Sequence, residues 1–474
     1  MTTTQTFAAP FGELSRAFHG SVILPDDPRW DDERILWNSM FDRQPLAIAK
    51  CTGDADVVAA VRFARDHVLP ISVRSGGHDA GGKSVLDDTF VIDLKAMNGV
   101  VVDPDRRRAL VQGGAIWRLV DRESQLHGLA LTGGTVSDTG VAGLTLGGGV
   151  GWLMRRAGVT LDSLVALSAV TADGEPIRIS AEDEPELFWG MCGAGANFAI
   201  VTSFEFNLHP VGPEVLAGMV IHPGDDAAAV IRHWRDYMDQ APDGVGSMLL
   251  VMRAAAPLFP PEYDGKPVVG FLVVHADGGE QAERDLRPLR EWGTPIVDGV
   301  VPIPYVEIQQ VLEQGWPPKK RFYEKSGYLS SMQDEFIEEM VACLDRAPVT
   351  NEGTAAKPLL SAMPMGGAID RVSNDAMAFP RADCAYWWDV AVMWEDEGND
   401  DAFISWSRDV YERLRPFASA GAYINLMVDD DPYGDWLRNA YGAEKYSRLV
   451  ALKDRWDPQN VFRGNKNIPP SNTG

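Results

Sequence analysis

From Asp54 to Val68 apolar residues recur at helical spacing, at Val57, Val58, Val61 and Ala64, and the run Ile71-Ser72-Val73 follows and ends in glycines. The pattern predicts a helix, a strand and a loop. Short β-rich runs come next at 90–94, 100–104 and 109–114, each bounded by turn residues, and a helical segment spans Ile116 to His127. From Leu164 two further β-rich runs flank Ala172-Asp173-Gly174, which reads as a hairpin, and another strand covers 198–208. The first part of the chain is therefore mixed α/β.

The turn-rich residues His209 to Pro213 break this pattern, so a boundary is expected near residue 212. Beyond it, helical stretches at 226–240, 279–292 and 333–345 alternate with strands at 267–276 and 386–395. That is an α+β pattern. A chain of 474 residues is long for one core, since cores stop growing near ~250–300 residues. The tail from Ile468 to Gly474 reads as a solvated terminus.

Composition narrows the function. Hydrophobic residues make up 45% and charged residues 23%, as in a soluble globular protein. A net charge of −25 repels a phosphate backbone and an anionic lipid surface, so neither nucleic acid nor membrane is an expected partner. The N-terminus lacks a basic start followed by an apolar core, which predicts a cytoplasmic location. Cys51, Cys192, Cys343 and Cys384 are far apart without metal-ligand spacing, so they read as buried thiols and no metal site is expected. Nothing in the sequence specifies an oligomeric state.

Two segments carry chemistry. Arg74-Ser75-Gly76-Gly77-His78, directly after a predicted strand, is either a phosphate-binding loop whose amides converge on an anion or a tight turn with an incidental histidine. Glycines also crowd the stretch from Gly133-Gly134-Thr135 through Gly140 and Gly143 to Gly147-Gly148-Gly149-Val150-Gly151, which suggests backbone pressed against a flat or phosphate-bearing ligand. A dinucleotide is the natural candidate. Gly193-Ala194-Gly195-Ala196-Asn197-Phe198 approaches a Rossmann fingerprint but lacks its last glycine, which argues against a nicotinamide enzyme.

Strand-RSGGH, the glycine block ending LGGGVGWL, and LFWGMCGAGANFAIVTSF together resemble the berberine-bridge-enzyme-like branch of FAD-linked oxidases. The C-terminal YINL at 423–426 and RLVALKDRWDPQNVFRGNKNIPP at 448–470 resemble the family's closing segment. The resemblance implies an α+β fold with a two-part PCMH-type FAD-binding domain, 1–211 and 423–474. An inserted substrate domain, 212–422, would carry an antiparallel sheet flanked by helices.

It also implies FAD as cofactor, bonded covalently through His78. Contacts would come from Arg74, Ser75, Gly76 and Gly77, then from Gly133, Gly134, Thr135, Val136, Thr139, Gly140, Val141, Gly143, Gly148 and Gly149. Gly195, Ile200, Val201, Asn465 and Asn467 complete the set. Some family members add a cysteinyl link, but Val136 stands where that cysteine would be, so a single bond is expected. Val141 matches a position where a small residue admits oxygen to the reduced flavin, favouring an oxidase that releases hydrogen peroxide.

The implied reaction takes a hydride from an alcohol, an amine or a hydroxylated aromatic small molecule of specialised metabolism, and a base must take the accompanying proton. The family's usual tyrosine is absent, because Leu426 ends the motif Tyr423-Ile424-Asn425-Leu426. Asp389 takes its place as first candidate, since it alternates with Trp387 and Ala391 on one face of YWWDVAVMWE, and by resemblance that face covers the flavin. A structural, paired Asp389 is the competing reading. Tyr423 is the second candidate. Lys325 matches a family lysine and is expected at the surface, and Trp152 is expected in the core. A flavoprotein whose FAD is structural and whose pocket cyclises or merely binds its ligand is the alternative function.

Overall fold

The computed structural model describes residues 11–16, 18–255, 259–419, 421–427, 436–464 and 466–472. Strands β1 (Ser21–Ile23), β2 (Ala47–Lys50), β3 (Ile71–Arg74) and β4 (Phe90–Asp93) form a sheet in the order β1-β2-β4-β3. β2 and β3 run parallel to β4, whose four residues are all buried, as a covered parallel pair requires. The predicted helix forms at Asp54–Asp66 and buries Val57, Ala60, Val61 and Ala64 in one cluster with Phe90 and Ile92.

A second, antiparallel sheet takes the order β5-β6-β10-β8-β9 from β5 (Val100–Asp103), β6 (Arg108–Gln112), β8 (Leu164–Thr171), β9 (Pro176–Ser180) and β10 (Ala199–Asn207), while β7 (Leu129–Ala130) pairs with β11 (His209–Pro210). Gly174, at φ +75°, makes the turn between β8 and β9 where the sequence predicts it.

The third sheet is antiparallel with strands β12 (Glu214–Pro223), β13 (Val245–Arg253), β14 (Pro267–His275), β15 (Val297–Asp298), β16 (Val301–Pro304), β17 (Arg321–Leu329), β18 (Lys357–Pro364) and β19 (Tyr386–Trp394). Its order is β15-β12-β14-β13-β18-β19-β17, with β16 also on β12. Strand alternation gives it two apolar faces. One face, with Leu249, Phe271, Leu360, Trp388 and Val390, packs under the helices Ala227–Met238, Gly279–Arg290, Asp334–Asp345 and Asp400–Leu414. The other, with Met248, Leu272, Leu359, Met363 and Trp387, joins the core of the first part of the chain. Among the described residues no helix is long and apolar enough to cross a membrane.

The C-terminal segment returns to that first part. Lys453, in the helix Ala443–Trp456, is fully buried and donates to Asp457 Oδ2 at 2.7 Å, Asn197 O at 2.7 Å and Phe462 O at 3.1 Å. Asp457 in turn accepts the Val461 and Phe462 amides. The tail is solvated only in part: Pro469, Ser471 and Asn472 are exposed, but Ile468 is buried and its amide donates to Asn197 Oδ1. The four cysteines are buried, as expected.

Lys453→Met leaves the Asp457 carboxylate buried without its cation, and removing one partner of such a pair costs ~3–5 kcal/mol. Urea unfolding of the holoprotein is expected to show a loss of that size; an unchanged midpoint contradicts the fastening role.

Candidate active site

Two glycine segments meet back to back. A Cβ placed on Gly76 comes within 2.5 Å of the Gly140 amide nitrogen, and one on Gly140 comes equally close to the Gly76 nitrogen. Only glycine permits this approach. The contact joins the loop after β3 to the N-terminus of the short helix Val141–Leu146 and makes one floor from both. Gly195, Ala196 and Asn197 with Ile200 and Val201 of β10 add a second side, and the inner face of β17–β19 forms the roof through Glu324, Leu359, Trp387, Asp389 and Ala391. The cavity measures about 400 Å³, within the range of cofactor and small-molecule sites.

The walls fit a flavin dinucleotide. At Gly143 and Gly195 the space a Cβ would occupy is open, and both line the cavity, so bare backbone is offered to a flat ligand. Ser75 Oγ and Ser84 Oγ are buried on the same walls without a hydrogen-bond partner, ready for a polar ligand group.

His78 is held from two sides. Its ring stacks on Trp37 at 4.3 Å between centroids, and Nε2 stands 3.2 Å from Asp138 Oδ1. Asp138 escaped the sequence reading because nothing in the chain pattern pairs it with a residue sixty positions away.

Asp389 is buried at the cavity roof, and Ser361 Oγ donates to its carboxylate from the neighbouring strand β18. Burial pushes its pKa up to about 6, with the Ser361 hydrogen bonds pulling the other way. Among the described residues no arginine or lysine forms an ion pair with it; its partner is Ser361. Tyr423 also lines the cavity; its hydroxyl accepts the Val150 amide at 3.3 Å and Asn425 Nδ2 at 3.0 Å. Burial raises its pKa, and those hydrogen bonds oppose the rise. Two donors to one phenol oxygen leave its proton as the remaining hydrogen-bonding function. Leu426 lines the cavity as well, where the motif's tyrosine would stand.

Of the residues expected to hold the cofactor, Ser75, Gly76, Gly77, His78, Gly134, Thr135, Val136, Thr139, Gly140, Gly143, Gly195, Ile200 and Val201 line this cavity. Arg74 does not: its guanidinium pairs with Asp93 at 2.6 Å, both fully buried. Gly133, Gly148 and Gly149 are packing glycines, whose added Cβ would meet Trp117, Phe379 and Thr160 respectively. Val141 is buried in the core cluster, away from the cavity wall. Asn467 is also off the wall, and Asn465 lies outside the described residues. Lys325 is buried rather than at the surface, because it shares the helix-covered face of β17, with Nζ 5.5 Å from the Tyr411 ring centre. Trp152 is a core residue, as expected.

The sequence reading missed Glu324, Trp37, Trp316 and Lys466 on the walls. For Glu324 the available signal was alternation: Phe322, Glu324, Ser326 and Tyr328 share one face of β17.

Residues 45–180 match the family described as FAD binding domain, and residues 422–469 match the one described as berberine and berberine like. The chain is 30% identical to the uncharacterized FAD-linked oxidoreductase YgaK of Bacillus subtilis, over 95% of this chain and 97% of that one. It is 29% identical to (R)-6-hydroxynicotine oxidase of Paenarthrobacter nicotinovorans, over 96% and 97%. The crystal structure of 6-hydroxy-D-nicotine oxidase from Arthrobacter nicotinovorans superimposes with a TM-score of 0.84 at 28% identity, covering 95% of this chain and 98% of that one. Glucooligosaccharide oxidase from Acremonium strictum shares the fold, with a TM-score of 0.85 at 23% identity and coverage of 97% and 99%. The two glycine segments, the strand roof and the returning C-terminus are thus those of a flavoprotein oxidoreductase, and the chain belongs to the berberine-bridge-enzyme-like family of FAD-linked oxidoreductases.

Proposed function

We propose that this enzyme holds FAD covalently on His78 and works as an oxidase, taking a hydride from an alcohol, amine or hydroxylated aromatic and passing the electrons to oxygen as hydrogen peroxide. One observation carries the reading: His78, between Trp37 and Asp138, stands on the wall of the same cavity whose roof bears Asp389. FAD supplies the hydride acceptor. The relative named as an oxidase, (R)-6-hydroxynicotine oxidase, supports oxygen as the second acceptor.

In this reading the floor glycines and Ser75 hold the cofactor, and Trp387 and Tyr423 orient the substrate under the roof. Asp389 takes the proton from the substrate's O–H or N–H. The raised pKa suits the task, because a carboxyl titrating near 6 is ionised at neutral pH yet more basic than an exposed aspartate. Asp138, beside Nε2 of His78, places a negative charge next to the imidazole that would carry the link.

Acid precipitation tests the link. Wild-type protein is expected to keep its yellow colour and the mass of one FAD after precipitation, while His78→Ala releases all its flavin. Asp138→Asn is expected to lower the covalent fraction with FAD still bound. Wild-type protein that releases its flavin in acid overturns the covalent assignment.

Asp389 is tested by pH. Its ionised form is the base, so kcat/KM is expected to rise as pH passes about 6. Asp389→Asn is expected to lose this limb and roughly 10²–10⁴-fold in rate. Stability moves the opposite way. A carboxyl whose folded pKa is raised gives its contribution below the unfolded value of 3.8 and loses it as pH rises through about 6. Asp389→Asn is therefore expected to unfold at a higher temperature than wild type at pH 8. A variant that is both active and destabilised there is incompatible with Asp389 as a buried base.

A further inference from the structure

The roof of the cavity carries a second carboxyl. Glu324 is only 5% exposed and lines the cavity, and no hydrogen-bond partner reaches its carboxyl among the described residues. On the sheet it lies opposite Ala391, and Asp389 lies opposite Ser326. The two acids are therefore diagonal neighbours on one face, a spacing of roughly 7–8 Å between backbones that long side chains bridge. Two carboxyls on an enclosed face repel when both ionise, and burying an uncompensated charge is costly.

The surrounding elements supply little compensation. The charged or titratable groups on the cavity walls are Glu324 from β17, Asp389 from β19, His78, Asp79 and Lys83 from the floor loop, and Tyr423 and Lys466 from the C-terminal segment. Lys466 is engaged by Asp79 at 3.2 Å. Burial, then Asp389 and Asp79, hold the Glu324 carboxyl well above the usual range, against Lys466. Four aromatic rings, Trp37, Trp316, Phe322 and Trp387, line the cavity along with aliphatic Leu312, Leu359 and Ala391. Aromatic faces attract a desolvated cation. The chain's net charge of −25 further favours cationic over anionic ligands.

We infer that Glu324 and Asp389 form a cation-binding subsite under the sheet, and that the substrate is an aromatic-bearing primary or secondary amine that enters as its ammonium ion. This rests on the oxidase reading and narrows it. The ammonium favours the ionised form of Glu324, which burial opposes in the free enzyme, so a proton on that carboxyl leaves to solvent as the cation binds. The ammonium gives one N–H proton to Asp389. The neutral amine then loses a hydride from the adjacent carbon, two electrons leave with it to FAD, and the nitrogen lone pair completes an iminium ion. Glu324 stays charged opposite that ion, so it is the specificity-determining member and Asp389 the base.

Anaerobic titration calorimetry on the FAD-loaded enzyme, with its flavin reduced beforehand so that no hydride can be accepted, compares benzylammonium with its neutral isostere benzyl alcohol and tests the assignment. Wild type is expected to bind the ammonium at least ten-fold tighter than the alcohol. Glu324→Gln is expected to abolish that preference with the alcohol affinity unchanged, and Glu324→Asp, which keeps the charge, to retain most of it. Equal affinities in wild type, or a preference that survives in Glu324→Gln, overturn the inference. Binding is read without turnover, so a flavin that proves redox-silent sinks the oxidase reading and leaves this comparison standing.

Discussion

The backbone contact between Gly76 and Gly140 is the constraint on which the site is built. Neither glycine tolerates a side chain, since each would drive a methyl into the other's amide. The contact sets the position of His78, two residues further on, and of the helix Val141–Leu146, which starts at the next residue. It also explains why loops from two sheets share one floor. The neighbouring glycines serve different ends: Gly143 and Gly195 leave wall open to a ligand, whereas Gly148 and Gly149 admit Phe379 and Thr160.

The roof obeys another rule. Strand alternation divides β17, β18 and β19 into a helix-covered face and a cavity face, and the apolar residues crowd the first. Polar groups stand on the second, with Ser326, Asp389 and Ser361 in register across three strands and Glu324 diagonal to Asp389. A sheet this deeply buried gains nothing in stability from carboxyls at its centre, because their ionisation is opposed by burial. Their presence is intelligible as function, where carboxyls whose ionisation burial opposes are the working property.

Much of this was legible in the sequence. The helix at Asp54–Asp66, the hairpin around Gly174 and the strand Tyr386–Trp394 follow from periodicity and turn chemistry alone. The strands on either side of Asp389's roof position were not. β18 carries Pro358 and Pro364, which count against a strand, and β17 carries Glu324, Lys325 and Gly327, which interrupt an apolar run. Both prolines sit toward the ends of their strand, where the ladder tolerates them. Arg74 shows the opposite limit: a motif position implied a ligand contact, yet the side chain is consumed by Asp93 in the core. Motifs fix where the backbone goes; long-range pairing decides what each side chain touches.

The returning C-terminus completes the site. Tyr423, Asn425 and Lys466 reach the cavity from a segment more than two hundred residues beyond the glycine block. Asn425 closes on Gly147 and donates to Leu144 O, so it seals the floor from below while presenting Tyr423 to the roof. That arrangement needs a firm anchor, which the buried Lys453–Asp457 pair and the Asn197 side chain supply by binding one another's backbone neighbours. The costly charged groups of the protein therefore divide by role. The pair outside the cavity has its cation and holds the segment in place, while the two acids inside have no ion-pair partner among the described residues, Lys466 being engaged by Asp79.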